Sequence, residues 1–201
     1  MTAKLFDRLS DGFSRTSHLS YKAVRDDSHF AQQPVRDAAV LIAITARPEP
    51  GLLLTCRPKT MNNHPGQIAF PGGKHEPGED AVAAALREAH EELAIDPAHV
   101  QIVGQAQNFA TGTGFNLTPV LGLVPADLPI QPDPYEVDDW FEAPLRHVLD
   151  RANHISLIGD FAGHKLPYFE INWQGYRIWG ITAGIIANLS HRLDWRELVD
   201  G

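Results

Sequence analysis

The chain reads as an α+β protein built as a mixed-sheet sandwich, and three observations carry that reading. Short apolar runs rich in β-formers stand on both sides of one strong amphipathic helix. The runs do not alternate with helices in the regular βα rhythm of a doubly wound fold. At 201 residues, with 43% hydrophobic and 21% charged residues, the chain has the length and composition of one domain with a real core. Residues 1–36 are expected to form a helix and loop extension, and residues 37–201 the main domain.

In chain order, Leu5, Phe6, Leu9 and Phe13 give a short amphipathic helix, followed by a polar loop. "AAVLIAIT" from Ala38 to Thr45 is a buried strand, and "GLLLTCR" from Gly51 to Arg57 a second, joined through Pro48 and Pro50 as a hairpin. "TMNNHPGQIAFPGG" is a loop and short strand punctuated by Pro65, Gly66, Pro71, Gly72 and Gly73. The strongest helix comes next, opened by Pro77, Gly78, Glu79 and Asp80 and stopped by Pro97. Further strands are expected at "VQIVGQAQNF", "LTPVLGLVP" and "DDWFEAPL", and a closing helix at "WGITAGIIANLSHRL".

A net charge of −8 argues against a nucleic-acid backbone as the main partner. The single cysteine, Cys56, rules out an internal disulfide and a cysteine-based zinc site, and it suits a reducing compartment. No stretch resembles a signal peptide, and "AAVLIAI" is too short to cross a bilayer, so a cytoplasmic protein without membrane attachment is expected. The sequence leaves assembly open, a homodimer included.

Charge is distributed unevenly. Residues 1–87 hold 11 basic and 9 acidic side chains and residues 146–201 hold 6 of each, whereas residues 88–145 hold 10 acidic and none basic. A bound divalent cation would balance such a segment, because hard cations take oxygen ligands, although a solvated acidic face has the same composition. The helix narrows the choice. Glu88, Glu91 and Glu92 fall within an arc of about 100°, and Val82, Leu86, Ala89 and Leu93 supply a core stripe elsewhere on the cylinder. A divalent ion meeting the three carboxylates would offset their repulsion, acidify a water and hold a phosphate oxygen. Gly72 and Gly73 would let backbone carbonyls approach the same ion.

"GKHEPGEDAVAAALREAHEELAI", Gly73 to Ile95, resembles the signature box of the Nudix hydrolases. Gly73, Glu79, Arg87, Glu88, Glu91 and Glu92 all stand in register, with Ala89 and Ile95 in apolar slots. Ala94 replaces the glycine of the pattern, where an αL turn normally ends the helix. The resemblance implies a Nudix α/β/α sandwich and hydrolysis of a nucleoside diphosphate linked to another group. It implies Glu88 and Glu92 as main ligands of Mg²⁺ or Mn²⁺, Glu91 as a further ligand or outer-shell group, and Arg87 with Glu79 as their brace. Arg57, Lys59 and Lys74 would meet the phosphates, although each also reads as a solvated side chain. Glu136, in "PYEVDDWF", is the candidate general base or additional ligand, or else an exposed loop residue.

"LLTCRPKTMNNHPGQIAFPGG" resembles the extra motif of the coenzyme A pyrophosphatase branch of that family, through Leu53, Leu54, Thr55, Arg57, Gly66, Phe70, Pro71, Gly72 and Gly73. Pro58 stands where Ser or Ala is expected and Asn62 where Arg is expected; Lys59 or His64 could replace that charge. This resemblance implies a coenzyme A-like nucleotide substrate cleaved to 3′,5′-ADP and 4′-phosphopantetheine, with Phe70, Phe115 and Trp179 as candidate contacts or as core aromatics. Two alternatives stay open: the same chemistry on ADP-ribose, a dinucleotide or a nucleoside triphosphate, and a nucleotide-sensing module that does not cleave.

Overall fold

A computed structural model describes residues 2–16, 35–60, 65–161 and 163–199. The expected polar loop after the first helix falls mostly outside these residues, as do Asn62 and His64. In order, the elements are α1 (Thr2–Arg15), β1 (Arg36–Thr45), β2 (Gly51–Cys56), β3 (Ile68–Ala69), β4 (Gly72–Lys74) and α2 (Ala81–Leu93), then β5 (Gln101–Gln105), β6 (Phe109–Ala110), β7 (Phe115–Val124) and β8 (Asp139–Pro144). After these come α3 (Leu145–Val148), β9 (Ile155–Phe161), β10 (His164–Trp173), β11 (Tyr176–Trp179), α4 (Gly180–Arg192) and α5 (Trp195–Val199).

The larger sheet is mixed. β1 pairs antiparallel with β2, as the Pro-containing hairpin predicts, and parallel with β7 from Arg36–Phe115 to Thr45–Val124. β4 also pairs with β1, β8 with β2, and β5 and β6 with β7. Eight consecutive residues of β1 are buried. Such continuous burial requires both faces of the strand to be covered, and they are. Ala39, Leu41 and Ala43 point into one core with α2, while Val40, Ile42 and Ile44 point into the other with α1 and α4. The arrangement is the α/β/α sandwich that the resemblance implies. Leu5, Leu9 and Phe13 of α1 belong to the second core, so the N-terminal helix packs on the same sheet as the rest.

Two features differ from expectation. The buried stripe of α2 is Ala81, Ala84, Ala85, Ala89 and Leu93, with Val82 and Leu86 only partly buried at its margin. Alanines bring the helix close to β1, and the longer side chains reach down from the sides. The second is an antiparallel three-stranded sheet, β9–β10–β11, in a segment that carries no clear strand period in sequence. No helix is long and apolar enough to cross a membrane among the described residues.

Candidate active site

The helix α2 begins on the Asp80 side chain, which accepts from the Ala83 amide at 2.8 Å and supplies the N-cap. It ends at Ala94, in the left-handed region at φ 55°, where the Ala94 amide donates to His90 and the Ile95 amide reaches back to Ala89. The Ala94 bond is that of an αL ending, made here without glycine. The fully buried Ile95 side chain holds the turn that glycine would otherwise ease.

Within this helix Arg87 is fully committed. Its Nε donates to Glu79 Oε1 at 2.8 Å and Nη2 to Glu79 Oε2 at 3.1 Å, a bidentate fork. Nη1 donates to Glu88 Oε1 at 3.0 Å and to Glu91 Oε2 at 2.9 Å, and Nη2 also reaches the Lys74 carbonyl at 2.9 Å. Glu79 is held below the usual carboxylate range by Arg87 and then by the Glu76 amide. The arginine thus ties the strand before the helix, the helix itself and two of its carboxylates together.

Glu92 lies on the buried side of α2 and is only 4% exposed. Burial pushes its carboxyl up to about 8, with a backbone hydrogen bond from Gly72 acting the other way and the charges of Glu88 and Glu136 adding to the rise. Glu88 is also raised, by burial first, with Arg87 opposing. The neighbouring glycines are dictated by space. A Cβ on Gly73 would overlap the Glu88 carboxylate, and one on Gly72 would overlap the Ala39 carbonyl and sit 2.6 Å from Val40 Cα.

Glu136 arrives from a loop anchored through the main chain. The Gln131 and Asp133 amides donate to the carbonyls of Leu93 and Glu92, at 3.0 and 2.9 Å, and the Asp138 amide donates to Cys56 at the end of β2. Asp133 shapes the turn by accepting from the amide of Tyr135 through its side chain and from those of Glu136 and Val137 through its carbonyl. As a result carboxylate oxygens of Glu88, Glu92 and Glu136 lie within 4.8 Å of one another. The described residues contain no other such group of three.

The other sequence-predicted residues fall around this group. Glu91 points outward onto Arg87, with its side chain 52% exposed, and is not among the three converging carboxylates. Arg57 leads from β2 toward Glu92, whose charged form it favours, and its buried Nε has no hydrogen-bond partner among the described residues. Lys59 and Lys74 are exposed. Phe70 is 4% exposed in the core beneath the sheet, and Phe115 is partly buried under the Arg36 guanidinium, 4.6 Å from its ring centroid. Trp179 caps α4 and carries Arg177 over its ring. The sequence reading missed Asp133 and its loop anchor, although the Asp133–Pro134 turn signal was there to be used.

Three converging carboxylates, one of them deeply buried, are costly unless protonated or balanced by a cation. Their hard oxygen donors fit Mg²⁺ or Mn²⁺.

Fold and site together define an α/β/α sandwich with a carboxylate cluster suited to a divalent cation. Residues 35–156 match the model of the NUDIX domain. A relative from Enterobacter sp. (strain 638), bearing the description "Uncharacterized Nudix hydrolase NudL", is 43% identical over 183 residues, 90% of this chain and 93% of its own. A relative of the same description from Cronobacter sakazakii is 44% identical over 156 residues, covering 77% of this chain and 81% of its own. Among solved structures, DR0079 from Deinococcus radiodurans superposes with a TM-score of 0.51 at 16% identity, over 84% of this chain and 87% of that one. The chain belongs to the Nudix hydrolase family.

Proposed function

We propose that this Nudix hydrolase is a divalent-metal-dependent pyrophosphohydrolase that cleaves coenzyme A or its thioesters to 3′,5′-ADP and 4′-phosphopantetheine or its acyl derivative. The observation that carries the hydrolytic reading is the meeting of Glu88, Glu92 and Glu136 within 4.8 Å beside Arg57. The substrate reading is supported by the motif from Leu53 to Gly73.

Glu88 and Glu92 would hold Mg²⁺ or Mn²⁺, with the Gly72 backbone and Glu91 at the edge of the ion's surroundings. A bound divalent ion supplies charge for the phosphoryl oxygens and lowers the pKa of a water. Glu136 is the one of the three carboxylates that is exposed, a position that suits a general base or a third ligand. Arg87 and Glu79 position Glu88 and take no part in bond breaking. Arg57 offers an uncommitted Nε to a bridging or terminal phosphate oxygen, and Lys59 and Lys74 add exposed charge at the rim. Phe115 gives a half-buried ring for the adenine or the pantetheine arm, and Phe70 shapes the floor from within the core.

Incubation with coenzyme A, acetyl-coenzyme A, ADP-ribose, a dinucleotide and a nucleoside triphosphate, each with Mg²⁺ and Mn²⁺, tests the proposal. Release of 4′-phosphopantetheine with the highest kcat/KM supports it, and no such product from coenzyme A ends the substrate assignment. Turnover of another member of the panel would keep the chemistry and change the substrate.

A further inference from the structure

Tyr135 is the most exposed large apolar side chain among the described residues, at 85%, and the one aromatic ring among those so exposed. Its neighbour in the chain is Glu136, whose carboxylate meets those of Glu88 and Glu92. The Tyr135 Cα therefore stands one peptide, about 3.8 Å, from that of a residue of the carboxylate site.

The exposed ring is carried on a fixed backbone. Residues 133–136 form a turn closed by the Glu136 amide, which donates to the Asp133 carbonyl at 3.1 Å, with Pro134 and Tyr135 at its centre. The Asp133 side chain accepts from the Tyr135 amide at 2.9 Å. On one side of the turn the Asp133 amide is bonded to Glu92 in α2, and on the other Val137, 2% exposed, is packed into the α2 core. Only two side-chain torsions are left to fix when this ring meets a ligand, so it offers contact area at little entropic cost.

Charge narrows what that ligand group is. Asp133, Glu136 and Asp138 flank the ring in sequence, and residues 88–145 carry no Lys or Arg, so a phosphate is repelled there and an uncharged ring is not. In a nucleotide the uncharged ring is the base, held one ribose away from the phosphates. Phosphates at an ion on Glu88 and Glu92 therefore put the base over residues that border the ligands. We propose that Tyr135 is the platform on which the nucleobase of the substrate stacks. With the base there, Phe115 is left to the pantetheine arm. The inference rests on the reading of the carboxylate site as a nucleotide hydrolase, and not on coenzyme A as the substrate.

The test compares AMP with ribose 5-phosphate, which lacks the base, by calorimetry in Mn²⁺. The unaltered protein should bind AMP about tenfold more tightly, a preference that Tyr135→Ala should abolish and Tyr135→Phe should keep. Neither variant should change the melting temperature, because the ring is exposed. On whichever member of the substrate panel is cleaved, Tyr135→Ala should raise KM about tenfold and leave kcat within about twofold. A preference for AMP that survives in Tyr135→Ala, or no preference in the unaltered protein, overturns the proposal while leaving any observed turnover unexplained by it. No turnover of any panel member, together with a base preference that Tyr135→Ala abolishes, would end the hydrolytic reading and still support the stacking.

Discussion

Two arginines flank the carboxylates of this Nudix hydrolase, and they differ in what they have left to give. Arg87 makes five hydrogen bonds, to Glu79, Glu88, Glu91 and the Lys74 carbonyl. Arg57 stands near Glu92 with a buried Nε that has no partner among the described residues. A guanidinium saturated by its own chain fixes geometry. One left unsaturated in a site keeps binding capacity for a ligand. In the proposed function, the contrast separates positioning by Arg87 from substrate recognition by Arg57 within a single charge cluster.

The strongest test removes what both arginines serve. Glu92→Gln keeps the shape of the site and takes away a central carboxylate; kcat should fall about 10²- to 10³-fold with the fold intact by circular dichroism. Neither arginine neutralises Glu92 fully, so metal-free protein should show the strain in its pH dependence. The folded-state value of about 8 lies above the ordinary 4.5, so the folded protein holds a proton that the unfolded chain releases. Stability in EDTA should therefore be highest below about pH 4.5 as far as this group is concerned. It should decline by on the order of a few kcal/mol toward pH 8. Melting curves should lose that decline in Glu92→Gln and on adding Mn²⁺.

Arg87→Lys keeps the charge and loses the fork. A drop of about 10- to 100-fold in kcat, with KM little changed, is expected if Arg87 only orients the carboxylates. Arg57→Gln should instead lower kcat/KM about tenfold, mainly through KM. If the two variants shift the same parameter, the division between brace and recognition fails. The smallest effect concerns the helix end: Ala94→Gly should raise stability by about 1 kcal/mol in denaturant titration, by relieving the left-handed conformation at φ 55°.

Much of the fold was legible because its elements carry strong local signals. The apolar run of β1, the hairpin prolines before β2 and the acidic start of α2 were each visible in a few residues. The site was legible where spacing on one helix was enough, as for Glu88 and Glu92, and Glu136 could be picked out by its place in the acidic stretch. Less visible was which carboxylates converge. Glu91 shares the sequence neighbourhood of Glu92 but sits at the solvent side of the helix, on Arg87. The β9–β11 sheet escaped because β10 alternates poorly, with exposed and half-buried residues and Pro167 in its middle. The anchoring of the Glu136 loop escaped for another reason: it runs through backbone amides, which any residue supplies.

That anchoring bears on how such a protein can change over evolutionary time. The chain between Val124 and Gln131 connects a core strand to a segment fastened onto the end of α2. A change of length at residues 125–127, ahead of Leu128 and Ile130, which pack on the α2 core, would leave the main-chain bonds that hold the Glu136 loop untouched, so the surface there can be remodelled while the third carboxylate keeps its place.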